Sequence, residues 1–222
     1  MNNLKNQIGK LLHRLGISGN FVTVLGLLAA LGSAALLFHC RFFWAGALLA
    51  LSGILDLLDG AVARASGKVS KFGGVFDSTL DRYGDGVVLG ALIVYFGMRS
   101  QAMYAALALS ALLGSFVISY VRARAECEGG SCRVGFWERG ERISYLALGL
   151  LLNNVQISLW VLGIFTHGTV FQRLALSRRL LSGSGPLKTD RAVDRGSISY
   201  LAQAAFWIFF LVFSRFRIPA SF

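Results

Sequence analysis

The sequence predicts an all-α integral membrane protein: a six-helix transmembrane bundle with an N-terminal interfacial amphipathic helix and an extra C-terminal apolar segment. Three observations lead there. Of the 222 residues, 55% are hydrophobic and only 15% charged, whereas about a quarter of a soluble domain is charged. Apolar runs close to the roughly 20 residues that cross a bilayer recur along the chain. Basic residues outnumber acidic ones 22 to 11, and most of them gather in alternate connections between those runs.

The elements follow in order. In residues 1–17, Leu4, Ile8, Leu11, Leu12 and Leu15 recur at helical spacing among Lys5, Lys10 and Arg14, the pattern of a helix lying in the plane of an anionic interface. Gly16–Asn20 breaks it. Six spans are then predicted: Phe21–Phe38, Phe42–Arg64, Phe72–Phe96, Ala102–Val121, Trp137–Leu152 and Val155–Leu174. The fifth is short, and the sixth turns polar near Thr166. The first is too long for a cleavable signal and is expected to stay as an anchor. Ser182–Gly196 reads as a polar cytoplasmic linker to Ile198–Phe213, an apolar stretch expected to remain at the cytoplasmic or interfacial side. The expected organisation is therefore 1–17 interfacial helix, 18–181 six-span domain, and 182–222 linker with C-terminal apolar segment. No internal repeat supports an inverted-repeat transporter.

Charge placement orients the bundle. Lys5, Lys10, Arg14, Lys68, Lys71, Arg122, Arg124, Arg133, Arg139, Arg142, Arg173, Arg178 and Arg179 fall in or beside one set of connections. Arg41 and Arg99 alone fall in the other set, and the Asn153–Asn154 turn holds no charge. The positive-inside rule then puts the N-terminus and the basic loops in the cytoplasm of a multi-pass cell-membrane protein. Topology and anionic headgroups account for most of the +11 net charge. No soluble basic domain points to nucleic acid. Cys127 and Cys132 share a loop predicted to be cytoplasmic, where thiols stay reduced, and no His stands there to complete a zinc site.

The chemistry is written in aspartates. Asp56 and Asp59 lie three residues apart near the end of span two; Asp77 and Asp81 lie four apart near the start of span three. Residues three or four apart share a helix face, and only Ala65–Lys71 separates the two spans. The helices are therefore expected to be antiparallel neighbours, with all four carboxylates meeting near the cytoplasmic boundary. An ionised Asp at mid-membrane costs about 2.5–3.5 kcal/mol on insertion scales, so four together call for a cation. Hard carboxylate oxygens suit Mg²⁺ or Mn²⁺, and two such ions balance four carboxylates. Gly60 beside Asp59 lets a bulky ligand approach the backbone. Arg64 is placed to clamp a phosphate bidentately. Asp85, one turn beyond Asp81, either orients an acceptor or pairs with an arginine.

The string Asp56-x2-Asp59-Gly60-x2-Ala63-Arg64-x8-Gly73-x3-Asp77-x3-Asp81 resembles, at every fixed position, the signature of the CDP-alcohol phosphotransferase family (the class I CDP-alcohol phosphatidyltransferases). The likeness extends over about residues 18–180. It implies a homodimeric six-helix membrane enzyme with two metal ions, Mg²⁺ or alternatively Mn²⁺, that moves a phosphatidyl-type group from a CDP-linked lipid to an alcohol and releases CMP. By position it implies that Asp56, Asp59, Asp77 and Asp81 hold the metals, with Asp81 also the general base. It further implies that Asn20, Asp59, Gly60, Arg64 and Ser70 contact the CDP-lipid. Family members often carry Pro-Asn and Thr before span one; Gly19-Asn20 and Thr23 stand there in this chain.

The acceptor is read from arginines. Arg122, Arg124, Arg133, Arg139 and Arg142 crowd the connection between spans four and five, and arginine forks suit phosphate dianions. The strings DSTLDRYGDG, SYVRARAE and ERGERI are similar to the prokaryotic phosphatidylinositol-phosphate and archaetidylinositol-phosphate synthase branch, which implies inositol phosphate as the acceptor. Glycerol 3-phosphate is the alternative within the family, and a divalent-cation transporter the alternative from another class.

Overall fold

The computed structural model describes residues 16–67, 70–129 and 137–181, together with Gln7, Gly9, Leu11 and Arg14. Among these residues there are six complete helices and no strand: α1 Gly19–Phe38, α2 Phe42–Ala65, α3 Lys71–Gly97, α4 Ala102–Cys127, α5 Arg139–Leu151 and α6 Val155–Leu181. By length and composition α1, α2 and α4 can cross a membrane, with mean hydropathies of 2.3, 1.6 and 1.9.

Local chemistry sets the helix starts. The Ser18 hydroxyl accepts from the Phe21 amide at 3.3 Å and opens α1. Ser70 does the same for α3, accepting from Gly73 at 2.9 Å. The Glu138 amide donates to the Glu141 carboxylate at 2.9 Å, which fixes the first turn of α5. The turns after α1, α3 and α5 each hold one residue at positive φ: Cys40, Ser100 and Asn153. The first two turns meet, with Arg99 Nη2 2.9 Å from Cys40 Sγ and its guanidinium 3.9 Å above the Tyr95 ring.

Three predictions need correcting. α4 and α6 run past their apolar stretches, to Cys127 and Leu181 instead of Val121 and Leu174, because Arg, Ala, Glu and Leu are good helix formers where hydropathy has already ended. α5 has 13 residues, about 20 Å at about 1.5 Å per residue, and is shorter at both ends than the predicted Trp137–Leu152. It docks on α2 at Gly46, where an added Cβ would lie 2.7 Å from the Leu151 amide nitrogen and 2.8 Å from the Ala147 carbonyl oxygen. Finally, α2 and α3 are not close packing neighbours. α1 packs against both of them, α5 packs on α2 and α4 on α3. A short connection permits close packing of two helices without requiring it.

Small residues and hydroxyls hold α1 to α2: the Ser33 hydroxyl donates to the Ala45 carbonyl at 2.7 Å and Ser52 to Gly26 at 2.8 Å. Between α4 and α6, Ser110 donates to the Gly163 carbonyl at 2.9 Å and Gly114 admits the Thr166 side chain. A continuous core, including Leu37, Leu49, Leu92, Phe96, Tyr145, Leu150 and Leu159, fills the bundle away from the aspartates. Of the expected N-terminal amphipathic helix, Gln7, Gly9, Leu11 and Arg14 are helical, while Leu4, Ile8, Leu12 and Leu15 lie outside the described residues. So do Cys132 and the whole of 182–222, including the C-terminal apolar segment.

Candidate active site

With α1 wedged against both, α2 and α3 leave a space between their acidic ends. Oxygens of Asp56, Asp59 and Asp77 lie within 4.8 Å of one another. Asp59 is buried, and its Oδ2 accepts a hydrogen bond from the Thr23 hydroxyl at 3.0 Å while its Oδ1 accepts from the Gly60 amide. These two bonds fix the carboxylate plane. Asp77 Oδ1 is buried with no hydrogen-bond partner. Three carboxylates this close, one with an unsatisfied lone pair, form an oxygen-rich donor set that fits a hard divalent cation.

Asp81 stands slightly apart, which refines the expectation of four converging carboxylates. Its Oδ1 is 2.9 Å from Nη1 of Arg139, and the same nitrogen lies 2.8 Å from Asp56 Oδ1. Arg139 Nε is 3.4 Å from Asp85 Oδ1, and Arg142 Nη2 is 3.7 Å from Asp85 Oδ2. Asp85 therefore pairs with arginines, resolving the choice its position left open. Arg139 and Arg142 share a face because they are three apart at the start of α5. Arg142 is 5% exposed and donates to the Trp137 carbonyl at 3.0 Å.

Asp56, Asp77, Asp81, Arg82, Arg122, Arg139, Arg142 and Arg173 all line one cavity of about 1630 Å³, more than a small-molecule pocket of roughly 300–1,000 Å³. Of the other predicted acceptor residues, Arg122 and Arg124 are neutralised on their own helix by Glu126 at 3.0 Å and Glu128 at 2.6 Å. Both arginine side chains are largely exposed, and Arg124 does not line the cavity. Two glutamates thus oppose this part of the arginine cluster. Arg133 lies outside the described residues.

Among the residues expected to contact the CDP-lipid, Arg64 folds back over Gly60, where an added Cβ would lie 3.3 Å from Nη1. Asn20 Oδ1 and the Ser70 hydroxyl both approach Gly73, at 3.5 and 3.0 Å from the position its Cβ would take. Ser70 is thus a helix cap in addition to any ligand contact. Arg173 was counted only as a topological charge. It is 4% exposed, donates to the Ile118 carbonyl at 2.9 Å and faces the cavity. Its sequence signal was register: Thr166, Thr169 and Val170, all buried, precede it on one face of α6.

A family model described as CDP-alcohol phosphatidyltransferase matches residues 17–172. The chain is 39% identical over 176 residues to the archaetidylinositol phosphate synthase of Pyrococcus horikoshii, covering 79% of this chain and 91% of that protein. It is 35% identical over 181 residues to the phosphatidylinositol phosphate synthase of Mycobacteroides abscessus, covering 77% and 82%. Among solved structures it resembles the Mycobacterium tuberculosis phosphatidylinositol phosphate synthase with CDP-DAG bound, with a TM-score of 0.70, 32% identity and coverage of 79% of this chain and 94% of that one. The complex of that enzyme with manganese and citrate matches with a TM-score of 0.71, 31% identity and coverage of 78% and 88%. With the match running through both acidic helices and on through the arginines of α5, this chain belongs to the CDP-alcohol phosphatidyltransferase family.

Proposed function

We propose that the protein transfers a phosphatidyl-type group from a CDP-linked lipid to the hydroxyl of inositol phosphate and releases CMP. The observation that carries this reading is the carboxylate cluster of α2 and α3 opening onto an arginine-lined cavity. The family match and the names of the relatives support it. It is a metal-dependent enzyme. Asp56, Asp59, Asp77 and Asp81 are the proposed ligands, for two Mg²⁺ or Mn²⁺ ions. When bound, such ions supply Lewis-acid stabilisation of charge on the pyrophosphate and on departing CMP.

The chain's own groups do the rest. Asp81 accepts the proton of the acceptor hydroxyl; the O–H bond breaks as oxygen attacks the β-phosphorus of the donor, and the bond from that phosphorus to CMP breaks. Gly60 and Arg64, with Asn20 and Ser70, receive the cytidine diphosphate. Arg139, Arg142 and the newly recognised Arg173 present positive charge to the acceptor phosphate. The cavity holds both substrates at once, which is where most of the rate gain from positioning arises.

The wider arrangement belongs to the same proposal. The proposed architecture is residues 18–181 as a six-span domain, short α5 included, preceded by an interfacial helix in 1–17 and followed by a linker and apolar segment in 182–222. The N-terminus and site face the cytoplasm, and the enzyme works as a homodimer. Glycerol phosphate as acceptor and divalent-cation transport are not favoured, given relatives named for inositol-phosphate lipids.

The deciding assay supplies CDP-diacylglycerol and Mg²⁺ to purified protein with labelled inositol phosphate, glycerol phosphate, inositol or serine, one at a time. Labelled lipid and CMP are expected with inositol phosphate. Product with glycerol phosphate alone overturns the acceptor, and no metal-dependent CMP release with any acceptor overturns the reaction.

A further inference from the structure

The proposed ligands Asp56 and Asp81 are bridged in the structure by a cation of the protein itself. Arg139 Nη1 sits 2.8 Å from one carboxylate and 2.9 Å from the other. We propose that Arg139 is a tethered competitor of the divalent ion: it holds Asp56 and Asp81 together until an ion takes them, then withdraws onto Asp85. The inference rests on the metal-enzyme reading above and adds an exchange step to it.

Three features support exchange over a fixed salt bridge. First, a divalent ion needs carboxylate oxygens at about 2.0–2.1 Å for Mg²⁺, and a guanidinium bonded to two of those oxygens competes for their lone pairs and repels the ion. Second, a landing place is ready. Arg139 Nε and Asp85 Oδ1 are both buried, neither has a hydrogen-bond partner, and they face each other at 3.4 Å. A small turn of the side chain completes a charge-assisted bond for both and costs no burial. Third, the anchor is held in place: Asp85 is 6% exposed, and Arg142, bonded to the Trp137 carbonyl, lies against its other oxygen.

The exchange is unequal across the site. Oxygens of Asp56, Asp59 and Asp77 already stand together, so an ion using that set need not move Arg139 far. Binding that uses Asp81 Oδ1 must displace it, while Asp81 Oδ2 lies 3.5 Å from Arg82 Nη1. The displaced guanidinium stays on the cavity wall beside Arg142, so metal loading adds positive charge where the acceptor phosphate is proposed to sit.

The test is Mn²⁺ binding to the purified full chain without substrates, read from the loss of the free-ion resonance, for wild type, Arg139→Gln and Arg139→Lys. Loss of one competing charge-assisted contact corresponds to roughly tenfold in affinity, so Arg139→Gln is expected to bind Mn²⁺ about tenfold more tightly, with Arg139→Lys between it and wild type. Its melting temperature in chelator is expected to fall. Unchanged or weaker Mn²⁺ binding by a folded Arg139→Gln overturns the proposal. Should that variant not fold, the wild-type structure with Mn²⁺ decides: Nη1 departed to Asp85 supports exchange, and Nη1 still bridging Asp56 and Asp81 overturns it. Absence of any Mn²⁺ binding by wild type sinks the metal-enzyme reading itself, and the exchange with it.

Discussion

The two halves of α3 are built to opposite rules. From Lys71 to Tyr83 no residue is buried; this half presents Asp77 and Asp81 to the cavity and gives up packing to do so. From Val88 to Phe96 the same helix buries Val88, Leu89, Ala91, Leu92 and Phe96 in the core. Asp85, buried against two arginines, sits near the join. The pairing of a loosely packed reactive half with a packed half on one rigid rod is how a site stays both open and precisely held. Charge at the open end is answered by arginines, Arg139 and Arg82 against Asp81, and stability is supplied from the other end.

If that division holds, substitutions in the two halves have separable effects. The largest is expected at Asp81. Asp81→Asn keeps the shape but loses the base, and CMP release should drop by about 10²–10⁴-fold with the melting temperature little changed; a variant retaining turnover removes Asp81 from the proposed role. In the packed half, Phe96→Ala opens a cavity beside Tyr95 and Tyr104. Loss of an aromatic core side chain costs about 3–5 kcal/mol in soluble proteins, and the cost here should sit at the low end because lipid is as apolar as the core. Thermal unfolding in detergent should show it, with turnover per folded molecule preserved well below the transition. A Phe96→Ala enzyme that melts like wild type but turns over slowly breaks the division.

Arg142→Met sharpens the comparison at its boundary. Removal of a charge-assisted contact worth about 1.5–3 kcal/mol should raise the KM for inositol phosphate by about 10–100-fold and leave the KM for the CDP-lipid nearly constant. Equal rises for both substrates point to collapse of the Asp85 pairing instead. The smallest effect is expected from Gly60→Ala. Alanine favours the helix by about 1 kcal/mol, so stability should hold or rise while the added Cβ crowds Arg64 and raises the KM for the donor a few-fold. An unchanged donor KM reduces Gly60 to a packing role.

Much of this was legible in the sequence. Hydropathy runs located all six helices, because burial in lipid or core demands unbroken apolar stretches. The starts of α1 and α3 carry serine caps whose hydroxyls the structure uses. The spacing of Asp56, Asp59, Asp77 and Asp81 implied one shared donor set; the oxygens of the first three converge, while Asp81 stands against Arg139. Where hydropathy faded, prediction faded too: α4 and α6 continue as helix past their apolar ends, and α5 is shorter than its predicted stretch.

Helical periodicity and residue type by themselves determined that this chain is helical, rich in apolar runs of membrane length and carries paired aspartates on shared helix faces, because those properties are set by neighbours three or four residues away. Tertiary structure alone decided that α1 packs against both acidic helices and that Arg139 reaches Asp81 across 58 positions of sequence. It alone turned Arg173 from a topological charge into a wall of the site. Contacts between distant segments depend on how whole helices dock, and no local pattern encodes them.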